Sequence, residues 1–403
     1  QTETVLQANE VTGTFAQTKF AAGLFMTGTT RYTANSVELD VVQMAPTSMA
    51  FMVATPQSAA NAQQLEQAFA IGERLQTVPP TAPAAPQGAF LAGLAQAQRV
   101  TTQADALAVA NTLSGQGRAL AASALLANQQ AQDATAFNRL GTASMTEAGI
   151  FAAVGRTETH FSPNGWASTR LQSNDTSAGM DWDLGAARLG VTGQSSRGDL
   201  SMGEGLGHYR LNAASLGLYG RYVLNDGWAL LGQVRAGRGK LEGDRTVALG
   251  PQAGQVSHLQ RYDQWSTALR LEKAWEGTAG TWVAYAGVSH YSQTQKASED
   301  RGTTGFEQGT LGHTFASTGT QLGAQFASMK RAVGQWGFSW STGVEYAHRH
   351  DHDRLALTNY FLVDPTNQGR LEGVEVGENA WRGFAQARWN RGKLSAFVRG
   401  DAI

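Results

Sequence analysis

From about residue 148 onward, apolar and polar residues alternate in segments of roughly ten, and no other feature limits the possible folds as much. Met180, Trp182 and Leu184 alternate with Asp181 and Asp183, and after Gly185-Ala186 the return places Leu189 and Val191 against Arg188 and Thr192. LGLYGRYVLNDGWALLGQVRAG, residues 216–237, repeats the pattern. Leu216, Leu218, Tyr222, Trp228, Leu230 and Val234 share one face, and Tyr219, Arg221, Gln233 and Arg235 share the other. Further segments set Trp265, Leu269, Leu271 and Trp275 against Arg270 and Glu272, Trp340 and Val344 against Glu345, and Trp381 and Trp389 against Arg388. A period of two means strands with one apolar face. That face packs either on a protein core or on lipid.

Two observations select lipid. The apolar faces begin or end in Trp or Tyr, with Gly, Ala, Leu and Val between, as in barrels whose aromatic girdles flank an apolar band. The connections also alternate in length. Short ones at 185–186, 225–227, 277–280, 330–335 and 390–392 alternate with long polar stretches near 161–175, 194–208, 239–257, 293–312 and 347–379. Short periplasmic turns and long outer loops are the asymmetry of an outer-membrane barrel. Trp182, Trp228, Trp275, Trp340 and Trp389 are therefore expected at the lipid interface. Arg221, Arg235, Arg270, Glu272, Glu345 and Arg388 are expected to face the lumen.

Eleven strands are expected, near 149–160, 176–184, 187–194, 210–224, 228–238, 262–275, 281–292, 314–328, 336–346, 380–389 and 393–401. RLALTNYFLV, 354–363, is a further strand candidate, but counting it would break the turn alternation, so it is assigned to a long loop. Bacterial single-chain barrels have even strand numbers. The odd count, and a chain that ends on Asp401, Ala402 and Ile403 rather than an aromatic residue, lead to the expectation that about one strand is missing.

The first 147 residues have another character. Val37, Leu39 and Val41 alternate with Glu38 and Asp40, a strand pattern, and Phe15, Phe20, Leu24 and Phe25 lie nearby. From Ser58 to Gln76 the period becomes helical. TVPPTAPAAPQG, 77–88, reads as a Pro- and Ala-rich linker or loop. Residues 89–141 are rich in Ala, Leu and Gln, good helix formers, with a break at Gly115 and Gly117. Charge is balanced, 31 basic against 32 acidic residues, which gives no support for a nucleic-acid partner. The absence of Cys is compatible with passage through an oxidising compartment. No apolar run approaches the ~20 residues of a transmembrane helix, and no signal peptide is visible, since the chain starts in polar sequence at Gln1. Both ends are accordingly expected to be cut.

Three stretches in order resemble the translocator region of type V autotransporters. LSGQGRALAASALL, 113–126, is similar to the family's pore-helix motif, matching at Leu113, Ser114, Gly115, Ser123, Ala124, Leu125 and Leu126, with Gln116 in place of Glu. GLFMTGTTRYTANSVELDV, 23–41, resembles the end of a passenger β-solenoid through Tyr32, Val37 and Leu39. SLGLYGRY, 215–222, resembles a barrel strand of the family. The resemblance implies a transmembrane antiparallel β-barrel of twelve strands, a pore-threading α-helix and a short N-terminal β-solenoid remnant. The expected divisions are 1–52 for the end of the passenger, 53–112 for a helical and Pro/Ala-rich linker, 113–147 for the pore helix and 148–403 for the barrel. The implied partners are outer-membrane lipid, the barrel assembly machinery, periplasmic chaperones and the chain's own passenger. The implied localisation is the outer membrane of a Gram-negative bacterium, with the N-terminal segment at the cell surface. Paired Asn residues that mark cleavage in the family are absent; Asn128 stands alone.

Competing chemistry is weaker. HRHDHDR, 348–354, has suitable metal ligands but lies in a long loop, where a solvated charged stretch is the favoured reading. GQSSRG, 193–198, has the wrong spacing for a nucleophile elbow. GEGLG, 203–207, lacks the strand–glycine–helix context of a nucleotide site. No cofactor and no catalytic residue are therefore expected. A surface protease or lipase on the outer rim is the alternative function. A diffusion porin is disfavoured by the helices and linker ahead of the barrel.

Overall fold

The computed structural model describes residues 2–19, 23–77, 84–141, 148–161, 165–204, 206–249, 252–350, 355–374, 377–391 and 394–402. Three N-terminal strands come first: β1 (Thr2–Gln7), β2 (Met26–Tyr32) and β3 (Ser36–Gln43), in the order β1-β3-β2. This segment, expected as the end of a solenoid, pairs antiparallel. Only residues 33–35 join β2 to β3, and so short a connection allows a hairpin but no parallel crossover.

Four helices follow: α1 (Pro56–Thr77), α2 (Ala84–Ala97), α3 (Gln103–Leu113) and α4 (Gly117–Leu140). The Pro/Ala-rich segment expected as linker is helical from Ala84 onward, while its residues 78–83 lie outside the described residues. Thr102 caps α3 by accepting from the Asp105 amide at 3.1 Å and donating to the Asp105 carboxylate at 2.6 Å. This reciprocal pairing satisfies an amide that the first turn leaves open.

The barrel strands are β4 (Ile150–Phe161), β5 (Thr169–Leu184), β6 (Ala187–Met202), β7 (His208–Val223), β8 (Trp228–Leu249), β9 (Gln252–Glu276) and β10 (Gly280–Gln295). Two short outer strands intervene, β11 (Ser298–Glu299) and β12 (Gln308–Thr310). Then come β13 (His313–Ser328), the short β14 (Arg331–Val333), β15 (Trp336–Arg349), outer strands β16 (Ala356–Phe361) and β17 (Gln368–Glu372), β18 (Asn379–Arg391) and β19 (Leu394–Ala402). The eleven long strands pair antiparallel, each with its sequence neighbour among them, from β4 to β19, and β14 pairs β15 beside that path. At the tight turn between β7 and β8, Asp226 and Gly227 both take positive φ, 49° and 78°, and Leu224 donates to the Trp228 carbonyl at 2.9 Å. Asp and Gly tolerate that backbone, which is why the turn has this sequence.

The sheet turns its apolar face outward. Leu216, Leu218, Val234, Leu269 and Leu322 are exposed, whereas Tyr219, Gln233, Arg235, Arg270 and Glu272 are buried. That inversion suits a sheet solvated by lipid outside and lined by polar groups within. Much of the sequence expected as long loops is strand. β5 begins at Thr169, β6 runs to Met202, and β8 runs to Leu249 paired with β9, which starts at Gln252. The segment 354–363 contains β16, which joins β11, β12 and β17 in a separate four-stranded sheet rather than the barrel. α1, α2 and α3 pack on these extensions. Leu65, Phe69, Phe90, Leu94 and Leu113 share one core with Val247, Leu249, Val256, Phe306 and Phe361. No described helix is long and apolar enough to cross a membrane.

Candidate functional site

α4 occupies the lumen. Ala121, Ala124 and Leu125 pack on Leu171, Leu200, Tyr209, Leu211, Leu241 and Tyr262, which come from β5 through β9. Ala119, Ala122 and Leu126 pack on Tyr291 of β10 and Phe315 of β13, together with Leu355, Leu357 and Leu371. Strands thus contact the helix from opposite sides. Near the short-turn end, Phe137 and Leu140 meet Tyr219, Ala229, Leu231 and Ala268. At 1.5 Å per residue a helix of this length spans about 36 Å, more than the ~25 Å apolar band of such a barrel. Alanine alternates with leucine at its outer turns, and the alanines bring the helix backbone close to the lumen wall. Ala119 and Ala121 are wholly buried, and Ala122 and Ala124 nearly so.

The outer end of α4 is tied down by charge. Asp300 has no exposed side-chain surface, and it pairs with Arg118, with Arg245 at 3.2 Å and with His258 at 3.2 Å. It also accepts from the Gln308 amide at 3.1 Å. Arg245 donates to the carbonyls of Thr112 at 2.6 Å and Phe306 at 2.7 Å. Gln308 donates to the Leu113 carbonyl at 2.7 Å, and Gln116 donates to the Glu372 carbonyl. Burial alone would raise the Asp300 carboxyl, but Arg118, His258 and Arg245 hold it well below the usual carboxylate range. Burial, reinforced by Arg118, pushes His258 down to about 4 against the pull of Asp300. The turn between α3 and α4 needs Gly115, whose φ is +65° and where a Cβ would lie 2.1 Å from the Gln308 side-chain oxygen.

A family model described as Autotransporter beta-domain matches residues 149–401, from the first barrel strand to the last. The chain belongs to the autotransporter family. Among solved structures, the translocator domain of the autotransporter NalP from Neisseria meningitidis is 13% identical, with 70% of this chain and 96% of that one covered and a TM-score of 0.48. The β-domain of the Bordetella autotransporter BrkA is 14% identical over 63% of this chain and 96% of its own, at a TM-score of 0.38. The transport unit of the autotransporter AIDA-I from Escherichia coli is 14% identical over 68% and 95%, at 0.33. A comparison with curated proteins returned no match. The autotransporter barrel is an outer-membrane translocator for its own passenger, with the passenger on the cell surface.

Within this autotransporter the sequence-predicted residues fall in distinct places. Ser123, Leu125 and Leu126 lie buried on α4. Ser114 ends α3 and Gly115 forms the junction, so both stand just ahead of the pore helix, while residues 142–147 lie outside the described residues. Arg270 sits 3.1 Å from Glu272, stacks over Tyr285 at 3.3 Å and approaches the Phe137 ring of α4 at 5.7 Å. Arg235 donates to Gln194 at 3.1 Å, and Glu345 accepts from Tyr285 at 3.0 Å. Arg388 is buried and Arg221 half-buried. Trp182, Trp228, Trp275, Trp340 and Trp389 are all exposed on the outward face. Of the His/Asp stretch, 351–354 lie outside the described residues, and among the described residues no group of potential ligands could hold a metal. Asn128 is on α4, but its side chain is not among those described.

The sequence reading missed Arg118, Arg245, His258, Asp300 and Gln308. For Arg245, His258 and Asp300 the only signal was a titratable side chain in or beside a loop, which is ordinarily solvated; Arg118 lay inside the helix motif and Gln308 is uncharged. What distinguishes them is apolar company, with Val247, Leu249, Val256 and Phe306 beside them in the same stretches.

Proposed function

We propose that residues 148–403 anchor the autotransporter in outer-membrane lipid, that α4 closes the pore after export, and that residues 1–52 belong to the exported part. The observation that carries this reading is α4 itself. Its N-terminal end sits at the long-extension mouth, joined to α1–α3 and the N-terminal sheet, and its C-terminal end lies near the short turns. A chain exported through the pore would leave the helix in that direction. The residues lining the lumen are assigned to packing and electrostatic positioning of α4 rather than catalysis, with any enzymatic activity placed in the passenger. Assembly is assigned to the barrel assembly machinery and periplasmic chaperones, because a sheet with an apolar exterior needs protection in water.

The test uses the native gene in intact cells with an epitope tag near Gln1. External protease is expected to remove the tag and leave a barrel fragment. A tag that survives until the outer membrane is opened places the N-terminal segment in the periplasm and overturns the reading.

A further inference from the structure

One outward-facing row of the barrel carries a charge pattern that neither pore nor passenger uses. Arg156 on β4 lies opposite Asn174 on β5, which lies opposite Arg197 on β6. Arg197 faces Asn212 on β7, which faces Lys240 on β8, which faces Arg261 on β9. Lys296, directly after β10, continues the row through its amide bond to the Arg261 carbonyl at 2.9 Å. Each position is a cation or an asparagine, with no carboxylate among them. Six inter-strand gaps make the row about 29 Å wide. Arg156, Arg197, Lys240, Arg261 and Lys296 are all exposed.

The surroundings give the row its meaning. On β4 it follows directly on Val154, which is 85% exposed, so Arg156 stands two residues, about 7 Å, beyond a lipid-facing side chain. On β8 the outward face runs from Trp228, Leu230 and Val234 through Ala236 and Arg238, which lies opposite Asp263, to Lys240. The next row outward holds the acids Glu158, Asp199 and Glu242. Those carboxylates are already engaged: Glu158 pairs with Arg170 at 2.7 Å, Glu242 with Lys240 of the row itself at 2.6 Å, and Asp199 has His208 at 3.4 Å. Lys296 pairs with Asp263. Among the described residues Arg197 and Arg261 have no carboxylate partner, and Arg156 donates only to the Gln172 amide oxygen at 3.2 Å. Arg261 stands directly between Lys240 and Lys296. Like charges opposite one another weaken a sheet, so Arg261, facing Lys240 and without a carboxylate of its own, costs stability unless an anion compensates it. Guanidinium groups match phosphate geometry, and clustered cations at a membrane surface recognise anionic headgroups.

We propose that this row on β4–β9, ending at Lys296, is a binding site for the phosphate-bearing glycolipid headgroups of the outer leaflet, with Arg156, Arg197 and Arg261 as its contacts. The row lies at the depth where acyl chains give way to headgroups. The apolar strand faces below it take the chains, and the cations above take the phosphates. The site fixes the barrel's depth and orients the hairpin of β8 and β9 against the membrane surface.

The experiment takes the protein purified from outer membranes in detergent and titrates it with bisphosphorylated lipid A, its dephosphorylated form and inorganic phosphate. The bisphosphorylated lipid is expected to bind at least tenfold tighter than the dephosphorylated one, with millimolar phosphate failing to displace it. Arg261→Glu is the decisive variant. It removes the like charge between Lys240 and Lys296, so its unfolding temperature without lipid should hold or rise, while lipid A affinity falls at least tenfold. Arg197→Gln, between two asparagines, should lower affinity without changing folding, and Arg197→Lys should restore most of it. Equal affinity for the two lipids, or unchanged affinity in Arg261→Glu, overturns the proposal. Displacement by inorganic phosphate does so as well, because it would make the row a general anion site.

Discussion

Gln116 shows how a single atom decides identity at the pore mouth. The family motif carries Glu here, and this chain carries a wholly buried Gln that donates to the Glu372 carbonyl. A carboxylate has no proton to donate at that point, so the departure follows from how β17 approaches the junction. Asp300 is the second such position. Asp300→Asn leaves Arg118 and Arg245 buried without their counter-charge, and breaking a buried pair costs about 3–5 kcal/mol. The expected outcome is faster amide exchange over Thr112–Gly117 with no change in the barrel strands. Unchanged exchange would mean that the charge cluster does not hold the junction. His258 adds a pH dependence with a definite sign. Its folded pKa, about 4, lies below the ordinary 6.5, so in that interval the unfolded chain binds the extra proton. Its contribution is complete above pH 6.5 and is lost as pH falls toward 4. Asp300, also depressed, adds a loss only at lower pH. His258→Gln should flatten the change in junction exchange between pH 6.5 and 4, and a profile identical to the parent's would exclude His258 as its source.

Among the elements, α4 approaches the lumen wall most closely at its buried alanines. Ala121 faces Leu171, Tyr209 and Leu241 with no exposed surface. Even one added methylene in such a core costs about 1–3 kcal/mol, and an indole needs far more room. Ala121→Trp is expected to displace the helix and raise single-channel conductance in planar bilayers, whereas an unchanged trace would show that the helix does not block the pore. The strands were the most legible elements, because lipid outside and polar groups inside impose a period of two along Leu216, Leu218 and Val234 as much as along Arg235 and Arg270. All eleven were visible, and so were the helix from Ser58 and the break at Gly115. Strand lengths were not. Beyond the lipid, β8 loses its aliphatic outward face and gains Lys240, Glu242 and Asp244, which read as loop, although backbone pairing with β9 continues to Leu249. β16 was hidden for a related reason. Its partners, β12 and β17, are set by tertiary pairing that local alternation does not encode.

At the scale of the whole molecule, the proposed plug implies a pore closed in two separable layers. α4 fills the lumen, and α1–α3 cover the mouth as a cap built on the outer strands. Phe90 of α2 stacks against Phe306 at 4.7 Å and Phe361 at 5.7 Å, all three fully buried. Polar clasps surround that contact: Arg74 pairs with Asp364, Gln67 donates to the Asn367 carbonyl at 2.8 Å, and Asn359 donates to Gln64 at 2.8 Å. The clasp around Asp300 grips a different place, the α3–α4 junction. Removing a buried Phe side chain costs about 3–5 kcal/mol, and Phe90 lies at the centre of the core that α1–α3 share with the outer strands. Phe90→Ala should therefore make residues 56–113 cleavable by external protease in intact cells. Conductance should stay low, because Arg118 and Gln116 still hold α4 in place. Ala121→Trp should do the reverse, opening the channel while the cap resists protease. If Phe90→Ala raised conductance as much as Ala121→Trp does, cap and plug would be one cooperative unit, and the division into two layers would fail.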